Sequence, residues 1–331
     1  NVTVDTLRIL KDAGVTKISI GIQSFQEKYQ SVLGRKMVDR AAMAEALSAV
    51  PFETVSMDFI FALPGQTYED LKAYLDIFTA PMEESHTPWM HVYGNHDYDV
   101  AVSGREQSKL YGSYSMNISG ISPEDVPGAC NYAVPILANG SDTVAFCIYA
   151  FDTHHKEPQL RPGVTCQDLM VPNRPEYARK WDIIRFEQQM WYWNLSKELE
   201  QQEGHLVPAM AVMHCAPHEV NLVKYNPDET GMTGEHNEPI CPAPINSGLF
   251  AAALQRGDVA GIFCGHDHIN TYEGTFCGIR LSFLSCIGFG AYGLGGSDRE
   301  NNRLRAGRLV TVKEEAPDCF SSQLLFANDY L

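Results

Sequence analysis

Two short runs gather the side chains of this sequence best suited to hold a cation. Gly94-Asn95-His96-Asp97 follows the apolar stretch PWMHVY at 88–93, and Gly265-His266-Asp267-His268 follows DVAGIFC at 258–264. Between them, VPAMAVM leads directly into His214. Each stretch reads as a strand whose carboxyl end presents an imidazole or an amide oxygen, the edge where α/β proteins set their chemistry. Neutral imidazoles with amide or carboxylate oxygens suit borderline cations such as Zn²⁺, Mn²⁺ and iron. A lone strand-end histidine is more often a hydrogen-bonded loop residue. Asn-His-Asp, a strand-end His and then His-x-His, in that order, form a joint pattern that chance rarely gives.

The elements that must position these residues come in two parts. All eleven histidines, nine cysteines and four tryptophans lie beyond residue 80. The first eighty residues hold 8 basic and 10 acidic side chains, so −14 of the total charge of −16 falls on the rest. Such a break is what two unrelated domains give. The acidic balance argues against a nucleic-acid partner, and no run of eighteen apolar residues exists to span a membrane. The chain starts at Asn1 without an apolar leader. Its odd number of cysteines has no CxxC pair, which favours reduced thiols and a cytoplasmic setting.

Residues 1–79 alternate helix and strand. The expected order is a helix at 4–13 ending at Gly14, a strand at 17–23, helices near 26–33 and 40–49, a strand at 54–61, and a helix from Thr67 with Asp70 as its N3 acid. GVTKISIGIQSFQEKYQSVLGRK and SMDFIFALPGQTYEDL resemble the middle of radical S-adenosylmethionine enzymes related to anaerobic coproporphyrinogen III oxidase, over about residues 4–78. The resemblance implies a partial (β/α) barrel in which Gln23, Arg35 and Asp58 would approach S-adenosylmethionine. That chemistry needs a CxxxCxxC loop holding a [4Fe–4S] cluster, and no cysteine precedes Cys130. Neither a cluster nor radical chemistry is therefore expected here, and S-adenosylmethionine binding would be vestigial.

GNHD, the strand-end histidine and GHDH together resemble the signature of calcineurin-like metallophosphoesterases, over about residues 80–313. SDTVAFCIYAFDTH at 141–154, a long helix at 176–201 and GHDHINTYEGTFCGIRLSF at 265–283 point further, to the purple-acid-phosphatase-like branch. The resemblance implies an α/β fold: a two-sheet sandwich flanked by helices, with GRLVTV at 307–312 as its last strand. By it Asn95, His214 and His266 would bind one metal of a binuclear pair and His268 the other. His96 would serve the leaving group, with Asp97 orienting it. Mn, Zn or Fe would lower the pKa of a bridging water and neutralise a phosphoryl group, the substrate being a small-molecule phosphoester. The family's D-x-H and GDxxD motifs, which supply the bridging carboxylate, are absent from residues 1–93. One cation rather than two, and a sandwich lacking its first βαβ portion, are the resulting expectations for residues 80–331.

Other motifs read more plainly. GFGAYG at 288–293 lacks the following amphipathic helix that a dinucleotide site needs, and is expected near the metal site. Asp152-Thr153-His154 has D-x-H spelling but follows GNHD in the chain. Cys215, Cys264 and Cys286 are expected as small buried hydrophobes rather than nucleophiles. The aromatic positions of the long helix, Tyr177, Trp181 and Trp191 among them, are expected in the core.

Overall fold

The computed structural model describes residues 2–29, 33–34, 39–52, 54–59, 65–154, 182–243, 245–288, 292–294, 303–314 and 319–330. The side chains of residues 54, 56, 58 and 59 lie outside that description.

Caps written into the sequence set the first elements. Thr3 Oγ1 accepts the Thr6 N–H at 3.3 Å and opens α1 (Val4–Asp12), which stops before Gly14 at φ 86°. The Asp39 carboxylate accepts from the Ala42 N–H at 3.1 Å to start α2 (Arg40–Ala49). β1 (Lys17–Gln23) and β2 (Thr54–Phe59) pair in parallel, Ile20 opposite Met57. Both helices bury their apolar stripes against this pair, through Leu7, Ala46 and Val50 and through Ile20, Ile22 and Met43. Over the helix expected near 26–33 the described residues give a 3-10 turn at Glu27–Tyr29, whose Tyr29 donates to Asp70 at 2.7 Å, and a helical residue at Leu33. Residues 30–32 are outside the described set.

Thr67 and Asp70 form the expected capping box, with Thr67 N–H donating to Asp70 Oδ2 at 2.8 Å, and open α3 (Tyr68–Glu84). This helix runs straight through the compositional seam at residue 80. Its Leu71 and Leu75 share an apolar cluster with Val102 and with Leu110 of α4 (Gly104–Tyr111). At its far end Glu83 accepts from Trp89 Nε1 at 2.8 Å, Ser115 N–H at 3.0 Å and Met116 N–H at 3.1 Å.

The main sheet has six strands: β3 (Tyr132–Leu137), β4 (Val144–Phe151), β5 (Ala209–Met213), β6 (Val259–Cys264), β7 (Glu273–Phe276) and β8 (Ile279–Phe283). Their order is β3-β4-β5-β6-β8-β7, with β4, β5, β6 and β8 parallel and the two outer strands antiparallel. The near-continuous apolar runs of β4 and β6 follow from burial on both faces. Alternation along β4 sends Cys147, Tyr149 and Phe151 to one side and Phe146 and Ile148 to the other. Helices α5 (Phe186–Glu203) and α8 (Leu249–Arg256) cover the first side, through Tyr192 and Phe250 among others. Between them in sequence lie the short helices α6 (Val220–Tyr225) and α7 (Pro227–Thr230). The second side carries an antiparallel hairpin, β9 (Ala306–Val312) and β10 (Phe320–Phe326), whose Phe320 ring sits 5.6 Å from Phe263 and 6.4 Å from Phe146. Helices, sheet and hairpin are the layers of an α/β sandwich whose second sheet has two described strands.

Three expectations are corrected here. GRLVTV is not the last strand, since β10 pairs along it. The long helix starts at Phe186 rather than 176, with Ile184 buried in the segment before it; Tyr177 and Trp181 lie outside the described residues. The stretch 88–93 is not a strand but makes one isolated bridge, Trp89 to Asn117. It runs on the hairpin side of the sheet, where Met90, Val92 and Tyr93 pack with Ala150 and Val212. With no second-sheet strand beside it among the described residues, its His91 and Tyr93 N–H groups donate instead to Ser119 Oγ at 3.0 Å and Cys130 Sγ at 3.3 Å. No helix among the described residues is long and apolar enough to cross a membrane.

Candidate metal centre

His214 leaves the carboxyl end of β5 and is enclosed by two glycines. A Cβ on Gly94 would stand 3.1 Å from its Cε1, and one on Gly265 would stand 3.2 Å from its Nδ1. A side chain at either position would require the ring to give by a few tenths of an ångström. Its Nε2 lies 2.8 Å from Asn95 Oδ1, which makes Nε2–H the donor in this pairing. Asn95 is itself buried. Burial, then the neighbouring His266, His268 and His96, push the His214 imidazole down to about 3, so it stays neutral. In the other neutral tautomer, with the proton on Nδ1, it would turn an Nε2 lone pair towards Asn95.

His266 leaves β6 in a left-handed conformation at φ 65°, uncommon for a residue with a Cβ, and this turn brings its ring centroid to 5.1 Å from that of His214. Its Nδ1 lies 3.3 Å from Asp267 Oδ1. His268 turns elsewhere and stacks on Tyr292 at 4.3 Å. Its buried Nδ1 has no hydrogen-bond partner among the described residues. Burial lowers its pKa, with Glu238 opposing. Tyr292 donates to Glu238 Oε2 at 2.5 Å, and Glu238 Oε1 accepts the Ile269 N–H at 2.8 Å.

The remaining candidates are placed differently from the expectation. His96 is exposed, and its Nδ1 pairs with Asp99 Oδ2 at 2.7 Å. Asp97 does not orient it: the Asp97 carboxylate accepts the Gly94 N–H at 2.6 Å and so closes the turn. The acid is satisfied by reaching back to a backbone N–H three residues earlier, not by the neighbouring ring. Burial raises Asp97 to about 6, the Gly94 bond opposing and the Asp152 charge adding. Asp152 accepts from Tyr98 O–H, Ala129 N–H at 2.7 Å and His154 N–H at 2.8 Å. Asp267 accepts from Asn270 Nδ2 at 2.9 Å. Cys215 and Cys264 are buried thiols whose pKa values burial raises, Cys215 to about 12, as suits small hydrophobes and not nucleophiles. Cys286 is only half-buried.

Gln23 ends β1 at φ 65° and is half-buried. Asp58 is opposite Gly21 in β2, with its side chain outside the described residues, as is Arg35 altogether. Tyr292 belongs to GFGAYG, the loop the sequence already placed near this site. Glu238 was missed, and no spacing could have found it, because its contact with Ile269 crosses 31 residues.

The fit of a two-metal centre can be judged from the donors. Asn95, His214 and His266 meet at one place, while among the described residues no three His, Cys, Asp or Glu side chains form a metal-holding group. The nearby carboxylates of Asp97, Asp152 and Asp267 are engaged by N–H and O–H donors. The described residues do not fit a carboxylate-bridged pair of cations.

Comparison with known proteins accords with this divided picture. The profile of the Radical SAM superfamily matches residues 1–78. Over 240 residues, 68% of the chain, it is 28% identical to Probable inactive purple acid phosphatase 14 of Arabidopsis thaliana. The chain is similar to two unrelated families. Heme chaperone HemW of Bacillus subtilis (strain 168) is 36% identical over 74 residues, 22% of this chain and 20% of that protein. A crystal structure of a dimetal phosphatase from Danio rerio aligns with a TM-score of 0.41 and 13% identity, covering 85% of this chain and 76% of that one. The chain spans 55% of the length of the Arabidopsis relative.

Proposed function

We propose that this chain carries a purple-acid-phosphatase-like, metal-dependent phosphoester hydrolase domain whose centre is reduced to one cation position and turns over phosphoesters poorly. The observation that carries this reading is the meeting of Asn95 Oδ1 and His214 Nε2 at 2.8 Å beside His266, with no three His, Cys, Asp or Glu side chains grouped to hold a metal among the described residues. Asn95, His214 and His266 would hold a single Mn²⁺, Zn²⁺ or Fe²⁺, which supplies Lewis acidity to a phosphoryl oxygen when bound. His96, exposed at the rim and paired with Asp99, is the group available to meet a small phosphoester. A side chain at Gly94 or Gly265 would press on the His214 ring, so both positions leave it room.

Metal content after loading with each ion, together with hydrolysis of an aryl phosphate, tests this. The expected result is at most one ion per chain, lost in Asn95→Ala and His266→Ala, with turnover near background. Two ions per chain with turnover that vanishes in those variants would overturn it and mean that the site is complete. A second reading is favoured by the match to residues 1–78: Gln23, Arg35 and Asp58 would contribute to a radical-enzyme-like cofactor site. Acid-labile sulfide or S-adenosylmethionine bound to the purified protein would support that reading.

A further inference from the structure

We propose that the groove between α5 and the edge strand β3 is a docking site for a basic amphipathic helix of a partner protein. Two adjoining depressions of about 480 Å³ and 390 Å³ run along α5 and share Trp191, Leu195 and Glu198. The α5 wall is apolar at Met190, Trp191, Leu195 and Leu199, and the opposite wall is Ile121, Tyr132 and Pro135. At one end Phe186 is 70% exposed and Met190 39%, large apolar side chains left in water on a helix that otherwise buries its inner face.

The rim fixes the chemistry of the occupant. Asp125, Glu187 and Glu198 line the depressions, and no lysine or arginine does among the described residues. A cationic segment is attracted there, while an anionic lipid surface or a nucleic-acid backbone is repelled. Pro135 lies in β3 opposite Cys147 and has no N–H to give an incoming strand, so the edge is blunted against strand addition. A helix laid in the groove needs no such bonds. From Phe186 to Gln202 the wall is about 24 Å long, room for between four and five helical turns.

The probe is a fluorescein-labelled 18-residue peptide with Leu at i, i+3, i+4 and i+7 spacing and Lys elsewhere, titrated by anisotropy into the full chain. Saturable binding is expected, weakened about tenfold or more by Glu187→Lys with Glu198→Lys, and by Leu195→Glu. The same peptide with Glu for Lys, or with its sequence scrambled, should bind about tenfold more weakly or not at all. The exposed charge reversals decide the matter even if Leu195→Glu fails to fold. No saturable binding, equal binding of the scrambled peptide, or binding indifferent to the reversals overturns the proposal. So does tighter capture by phosphatidylserine vesicles or RNA that these substitutions abolish.

Discussion

Leu75→Ala asks whether α3 is the common property of both parts of the chain. Leu75 is 8% exposed and lies with Leu71 against Val102 and Leu110 across the seam. Leu→Ala in a packed core costs about 2–5 kcal/mol, less where the wall can relax. Val100, Tyr111 and Tyr114 around this cluster are only partly buried, so about 2–3 kcal/mol is expected. Spread over a unit the size of residues 80–331, that lowers Tm by about 5–10 °C. The assay is thermal unfolding followed by tryptophan fluorescence, since Trp89 contacts Tyr111 at 6.0 Å in this interface and Trp191 sits beyond it on α5. One transition shifted as a whole is the expected outcome. An unmoved tryptophan transition, with only far-ultraviolet signal lost early, would refute the reasoning and make the seam a true domain boundary.

Two more predictions concern charge and space. The Asp70 carboxyl is raised by burial but held down to about 2 overall by Lys28, the Thr67 N–H and Tyr29. Its folded pKa lies below the unfolded value, so its stabilisation is present above about pH 4 and lost as pH falls towards 2. Asp70→Asn should therefore cost about 2 kcal/mol in urea unfolding at pH 7 and almost nothing near pH 2; a constant cost across that range would be the wrong result. Gly94→Ala puts a methyl 3.1 Å from the His214 ring, which must shift by a few tenths of an ångström and lengthen its 2.8 Å contact to Asn95. Zinc affinity measured by competition should fall about tenfold with Tm nearly unchanged, and an unaltered affinity would show that the ring is not placed by that contact.

Local chemistry was legible and distant pairing was not. The Thr67–Asp70 capping box, the stop at Gly14 and the apolar strands ending at His214 and Gly265 each depend on a few neighbouring residues, and each is present. PWMHVY has strand composition, yet strand formation needs a partner, and among the described residues only Asn117 offers one bridge. The same limit hid β10, whose pairing with β9 defines the second layer, and Glu238, which reaches the site through Tyr292. At His96 the spelling suggested its neighbour Asp97, while the turn's own N–H took that carboxylate and left Asp99 to the ring. The absence of upstream aspartate motifs was plain in the sequence. Which donors the nearby aspartates accept from required coordinates.

The continuity of α3 also governs how this protein can be dissected. A cut placed by composition at residue 80 would leave the Thr67 cap and Leu71 on one product and the Glu83 carboxylate on the other. The downstream product would begin in mid-helix at Ala80, leaving little more than one turn of α3 without its Thr67 cap. Trp89 and the 115–116 backbone would then lose the anchored acceptor that holds the approach to Gly94. Truncations meant to isolate the phosphatase-like part should therefore begin before Thr67, carrying a piece of the other family's sequence as a structural necessity.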